Sequence, residues 1–184
     1  MTALTESSFY INNNQQKNLV SNPVLGMCLF VFTEVMFFAA LLSAYIVIKG
    51  NRDSWEIPSH IRLPVLSTAY NSLILILSGV LLYYVHQLVV QKKPLPQQKQ
   101  YLGLVMVLGG FFVAFQGYEW VQLLAFGLSM SSSIFGALFF LLIGCHGVHA
   151  VAGIVALSYL YSKSTNQIDL EHLKAVEIFW FFVV

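Results

Sequence analysis

The feature that most constrains this chain is a succession of apolar runs, each about as long as a bilayer is thick. Four of them cover Val24–Ile48, Ser67–Val90, Leu102–Phe126 and Ile134–Tyr161. At 1.5 Å per residue the first reaches about 37 Å as a helix, enough to cross a hydrocarbon core of about 30 Å. A fifth run begins at Leu173 and is still apolar at Val184. It is too short to cross, and a helix ending in hydrocarbon would leave its last carbonyls without partners. The expectation is therefore a fifth spanning helix that continues past the supplied sequence. The predicted fold is all-α: a polytopic transmembrane bundle of five helices forming one domain over 23–184, preceded by a polar tail over 1–22. That tail is rich in Asn, Gln and Ser with no apolar core, so it is neither a secretory signal nor a span, and a mobile terminus is expected.

Charge placement agrees with this layout. Of 184 residues 58% are hydrophobic and only 9% charged, against about a quarter charged in soluble domains. Most charges sit in short polar islands between the runs. With the N-terminus inside, the inner segments hold Lys17, Lys92, Lys93, Lys99, Lys163 and Lys174, and the outer ones Lys49, Arg52 and Arg62. This is the sense of the positive-inside rule and places the N-terminus in the cytoplasm. Trp55, Tyr101, Trp120 and Tyr161 lie near the expected helix ends, where amphipathic rings suit the interface. A net charge of +1 argues against nucleic acid as a partner. Cys28 and Cys145 lie inside apolar runs and outside any CxxC pair, so both are read as buried, small apolar residues.

Small residues point to a packed bundle. Gly144, Gly147, Ala150, Gly153 and Ala156 recur at spacings of three, and Ser72, Ser78 and Gly79 mark the second run. Such residues let helices approach closely in lipid, where packing replaces the hydrophobic drive. No internal repeat of the kind that builds duplicated transporter halves is visible.

The ionisable groups inside the runs carry the chemistry. Glu34 falls near the expected midplane, Glu119 in the last third of the third run, and His146 and His149 centrally in the fourth. His86 and Glu177 are read as boundary residues. A charge at the bilayer centre costs about 2.5–3.5 kcal/mol on insertion scales, so such groups face the bundle, pair, or stay neutral. His146 and His149 are three apart and share a face with Ala150 and Gly153, so that face is expected to meet another helix, with Glu34 the simplest partner. For Glu34, interhelical hydrogen bonding and a proton-linked role both remain open. For Glu119, the choice is between an intramembrane role and a reach outward to headgroups or water. A metal or haem role for the two histidines has little support: bis-histidine ligation needs histidines at matching depth on facing helices, and no Glu-x-x-His pair exists for a di-iron site.

Four stretches carry a family resemblance. Gly26-Met27-Cys28-Leu29-Phe30-Val31-Phe32-Thr33-Glu34-Val35-Met36-Phe37-Phe38 resembles the glutamate-bearing helix of haem–copper oxidase subunit III. Leu63-Pro64-Val65-Leu66-Ser67-Thr68, followed by Ser78-Gly79, is similar to that family's next helix. Phe115-Gln116-Gly117-Tyr118-Glu119-Trp120 resembles its Gln-x-x-Glu-aromatic element, and Ile143 to Gly153 its His-Gly-x-His helix. All four occur in the family's order and spacing from about Pro23 onward. The resemblance implies a non-catalytic subunit packed beside subunit I of a terminal oxidase in a bacterial cytoplasmic membrane. It implies no cofactor in this chain, with haem and copper held by partner subunits, contact with other oxidase subunits and ordered phospholipid, and assistance to proton uptake, Glu34 being the family's midmembrane glutamate. Larger members have seven helices; this chain corresponds to the form lacking the first two, whose place extra helices of subunit I fill in five-helix quinol oxidases. The family's last helix carries Trp-His-Phe, an aliphatic residue and Asp. Here Trp180-Phe181-Phe182-Val183-Val184 makes the His and Asp positions apolar, and Glu177 appears nearby.

Other function classes compete. An accessory subunit of a nitric oxide reductase shares the resemblance. A stand-alone proton-coupled transporter would use Glu34, His146 and Glu119, and a membrane metalloenzyme His146, His149 and Glu34. Neither the electron donor nor membership in a larger assembly is encoded in this chain.

Overall fold

A computed structural model describes residues 21–50, 65–127 and 134–184. Five helices make up almost all of them: α1 (Asn22–Gly50), α2 (Val65–Val90), α3 (Leu95–Ala125), α4 (Ile134–Lys163) and α5 (Leu170–Val183). There is no strand among the described residues. The first four are long and apolar enough to cross a membrane, and α5 has 14 residues. The expected elements are all present. Residues 1–20, Lys17 among them, and Arg52, Trp55, Arg62, Leu63 and Pro64 lie outside the described residues. Asn22, assigned to the tail on sequence grounds, already belongs to α1.

The largest boundary difference is at α3, which starts at Leu95 and not Leu102. The polar stretch Gln97–Gln100 reads as loop, yet Pro96 suits a first helical turn, where the missing N–H has no intrahelical partner to lose. Gln98 is fully buried, and its Nε2 donates to the carbonyl of Lys93 at 2.7 Å. The preceding turn closes α2: Lys93 N–H bonds Leu88 O and Lys92 N–H bonds Val89 O, both at 3.0 Å, with Lys92 at φ 52°. That pattern is the Schellman motif, with a lysine in the left-handed position usually given to glycine.

This short turn makes α2 and α3 antiparallel neighbours. Moving away from it, Tyr84 meets Tyr101 (ring centroids 5.0 Å apart), the Asn71 amide donates to Phe112 O at 3.2 Å, and Ser67 and Thr68 meet Glu119. α4 packs on α3, and α5 is set among α1, α2 and α4. The core runs through Leu82, Val85, Leu102, Val105, Leu157, Leu173 and Trp180, all buried. α1 has no buried residue and is apolar all round, displaying Leu29, Phe32, Met36 and Ile46. A helix of that kind belongs in lipid or against another protein's span. Cys28, expected to be buried, is exposed there for the same reason: α1 has neighbours on one side only, among the described elements.

Trp180 ties the bundle together. Its indole N–H donates to Ser78 Oγ on α2 at 3.1 Å, while its ring lies between Gly109 of α3 and Gly153 of α4. A Cβ at either glycine would stand 2.7 Å from that ring. Gly147 makes room in the same way for Trp120, whose Cη2 would lie 3.1 Å from a Cβ there. These two glycines of the expected α4 stripe are therefore sockets for indoles, whereas Gly144 has open space where its Cβ would be.

At the aqueous end of α5, Asp169 is the N-cap and accepts from Glu171 N–H at 2.9 Å. His172 Nδ1 is 2.9 Å from its other oxygen, and this hydrogen bond holds the Asp169 carboxyl below its ordinary value. A lowered carboxyl contributes stability above its unfolded titration range and loses it as pH falls through the folded one. The side chain is exposed, so the charge interaction is screened. Asp169→Ala is expected to cost about 0.5–1 kcal/mol at neutral pH, less in acid. Thermal loss of helicity at the two pH values measures this; an equal cost at both would show that the ionised cap is irrelevant.

Candidate functional site

Two imidazole–carboxylate pairs join different helices, on opposite sides of α5. In the first, His149 Nε2 of α4 lies 3.0 Å from Glu34 Oε2 of α1, with both side chains mostly buried. His149 Nδ1 is 2.6 Å from the carbonyl of Cys145, one turn earlier. A carbonyl can only accept, so Nδ1 carries a hydrogen. Nε2 and Glu34 then share one further proton, resident on the carboxyl or on the ring. Either arrangement is neutral overall, which hydrocarbon favours. Phe38, Phe179 and Phe182 surround the imidazole at centroid distances of 5.5, 6.1 and 5.8 Å. An open groove of about 660 Å³ between α1 and α4 borders the pair, lined by Thr33, Glu34, Phe37, Phe140, Cys145 and His149.

His146 does not join them. Three residues along a helix turn the side chain by about 300°, leaving it roughly 60° from its neighbour's direction. That rotation takes it from α1 towards α3, where it meets Phe112 edge-on at 6.3 Å. There it borders a cavity of about 490 Å³ between α2, α3 and α4, also lined by Ser72, Phe112, Gln116, Trp120 and Gly147. The expectation of Glu34 as partner is thus met by His149 and not by His146.

Glu119 does not reach outward: it is 6% exposed. Ser67 Oγ donates to one of its oxygens and Thr68 Oγ1 to the other, the latter at 3.2 Å. Gln116 Nε2 lies 3.5 Å away, one turn earlier on α3. The four side chains bind α2 to α3 at the end remote from their turn. The antiparallel register set by that turn would have matched the Ser67-Thr68 dipeptide to Glu119.

The second pair is one the sequence reading assigned to the boundary. His86 Nδ1 of α2 is hydrogen-bonded to Glu177 Oε2 of α5. The Glu177 side chain is 8% exposed and that of His86 22%, with the Tyr83 ring centroid 6.4 Å from the imidazole. Two ionisable groups in apolar segments were visible; that they meet depended on how α5 is rotated. No three His, Cys, Asp or Glu side chains converge among the described residues. His86 and His149 each commit a ring nitrogen to a carboxylate, a donor set suited to joining helices.

Comparison with known proteins agrees with this architecture. The family model described as cytochrome c oxidase subunit III matches residues 4–184. The chain is 26% identical to cytochrome c oxidase subunit 3 of Thermostichus vulcanus, over 87% of this chain and 80% of that one. It is 31% identical to the corresponding protein of Heterololigo bleekeri, over 86% and 64% respectively. It is 27% identical to cytochrome bo(3) ubiquinol oxidase subunit 3 of Buchnera aphidicola, over 90% and 87%. With four helices of membrane-crossing length and a family match over nearly its whole length, the chain is an integral membrane protein of the cytochrome c oxidase subunit III family, a component of a haem–copper oxidase complex.

Proposed function

We propose that this chain is a non-catalytic subunit that supports a proton-pumping terminal oxidase from beside its subunit I, with haem and copper held in partner subunits. The observation that carries the reading is the internal engagement of its membrane carboxylates: Glu34 with His149, Glu177 with His86, and Glu119 with Ser67 and Thr68. Groups bonded in this way fasten helices and hold protons; they do not present a substrate site. Glu34 retains partial exposure in the α1–α4 groove, which suits a proton-linked contribution to uptake by the complex. The all-round apolar surface of α1 offers contact to subunit I and to phospholipid acyl chains. Of the described lysines, Lys92, Lys93, Lys99, Lys163 and Lys174 lie at one end of the bundle and Lys49 at the other. This supports a cytoplasmic-membrane orientation with the N-terminus inside.

An affinity tag on this chain is expected to bring down a haem-bearing subunit, while the chain purified alone shows no haem absorption and conducts no protons in liposomes. A haem spectrum retained by the isolated chain, or proton flux through it alone, would overturn the proposal.

A further inference from the structure

We propose that His86 and Glu177 are positioning residues for the Glu34–His149 pair, acting through the last helix. α5 is tied to α2 at successive heights. Glu177 bonds His86, the Trp180 indole bonds Ser78 at 3.1 Å, and Val184 stands where a Cβ on Gly79 would be in contact at 3.4 Å. On its other side, α5 presents Phe179 and Phe182 to the His149 ring. α1 completes this aromatic wall, with Phe30 at 5.9 Å from Phe179 and Phe38 at 5.9 Å from Phe182.

The imidazole plane thus depends on two kinds of restraint. The Cys145 carbonyl fixes one nitrogen, and rings belonging to α1 and α5 fix the face. A bond from one nitrogen leaves the ring free to swing about its χ torsions, so the walls decide whether Nε2 points at Glu34. The walls on α5 are held where they are by the rotation and height of that helix. The Trp180 wedge between Gly109 and Gly153 restrains this helix at one level; its other apolar contacts in lipid restrain it loosely, because turning it exchanges one apolar neighbour for another. A buried carboxyl is directional and costly to leave unpaired, so Glu177 allows one rotation. It lies two residues before Phe179, close enough that turning α5 to break the bond would carry both phenylalanines off the His149 ring.

The test reads Glu34 itself in the purified oxidase complex, as the infrared band that disappears in Glu34→Gln. Glu177→Leu and His86→Leu are expected to displace that band or abolish it at its wild-type position. Glu177→Gln, whose amide still reaches the imidazole, should leave it in place. If a leucine variant fails to assemble, the exchange His86→Glu with Glu177→His reverses the bond and is expected to assemble with the Glu34 band at the wild-type position. An unmoved band in an assembled leucine variant overturns the proposal, as does a displaced band in the assembled exchange variant. A cycle of thermal midpoints gives a second readout. Shifts from Glu34→Leu and Glu177→Leu should combine to less than their sum, whereas strict additivity means the pairs are independent and the proposal is wrong. The inference rests on contacts within this chain, so its failure leaves the oxidase reading intact.

Discussion

Replacing Trp180 by alanine is expected to be the most damaging single substitution in the bundle, costing about 3–5 kcal/mol, the range for deleting a large buried aromatic side chain. The indole is fully buried, and its ring fills the space that two glycines on different helices leave open. Alanine would leave a cavity bordered by α3, α4 and α5 at once, which backbone relaxation in one helix cannot close. It would also remove the N–H that meets Ser78, a smaller loss because that hydroxyl still donates to Leu75 O at 2.6 Å. Trp180→Phe separates the two effects: it keeps an aromatic ring and loses the hydrogen bond, and about 1–2 kcal/mol is expected. The sockets supply the complementary check. Gly109→Ala and Gly153→Ala place a methyl 2.7 Å from the ring in the native protein and should cost about 1–3 kcal/mol by overpacking. In a Trp180→Ala background the same substitutions should be neutral or stabilising. Thermal unfolding of the native protein, the Trp180→Ala and glycine single variants and the two double variants measures this, and glycine variants that remain equally damaging without the indole would refute the wedge.

The same residue shows what sequence can reveal about a membrane bundle. That segments span was legible in hydrophobic length, since this depends on local composition and on a backbone that must satisfy itself in lipid. All five elements lie where the apolar runs placed them. The start of α3 was not legible, because Gln97–Gln100 is polar by composition and helical by virtue of Pro96 and the buried Gln98 contact. Small residues at spacings of three signalled close packing in α4. That Gly153 receives Trp180 and Gly147 receives Trp120 could not be read, because it requires the rotation of three helices about their axes.

The site divides in the same way. Glu34 and His149 were legible as partners because two costly groups at similar depth have few alternatives. His146 was grouped with them on spacing alone, and the helical offset of about 60° between the two positions proved enough to send it to another interface. Linear distance from a helix end left Glu119 open between the bundle and the headgroups and put Glu177 at the boundary. Burial is set laterally by neighbours, and both carboxylates sit against α2, whose Ser67, Thr68 and His86 receive them.

The Glu34–His149 contact should respond unequally to losing one partner or the other. Glu34→Leu leaves a neutral imidazole that keeps its Nδ1 bond to Cys145, so what is lost is one hydrogen bond, about 1–2 kcal/mol. Glu34→Gln should come close to the native protein, because its amide can donate to Nε2. His149→Leu is the severe case. Among the described residues no other imidazole is placed to replace it, since His146 points to Phe112, His86 is bonded to Glu177 and His172 to Asp169. Glu34 would then carry a carboxyl into the membrane among Thr33, Phe37 and Phe140, with its ionised form unpaired. Insertion scales put such a charge at about 2.5–3.5 kcal/mol, and the leucine side chain recovers little because lipid already solvates apolar groups. The expected order of thermal midpoints for retention of this subunit in the complex is therefore native, Glu34→Gln, Glu34→Leu, then His149→Leu. The double variant Glu34→Leu with His149→Leu supplies the decisive comparison. Removing the orphaned carboxyl should raise stability above that of His149→Leu alone, even though it deletes a second native side chain. If the double variant is instead the least stable of the set, the two residues act through separate packing contacts, and the shared proton has no part in holding α1 to α4.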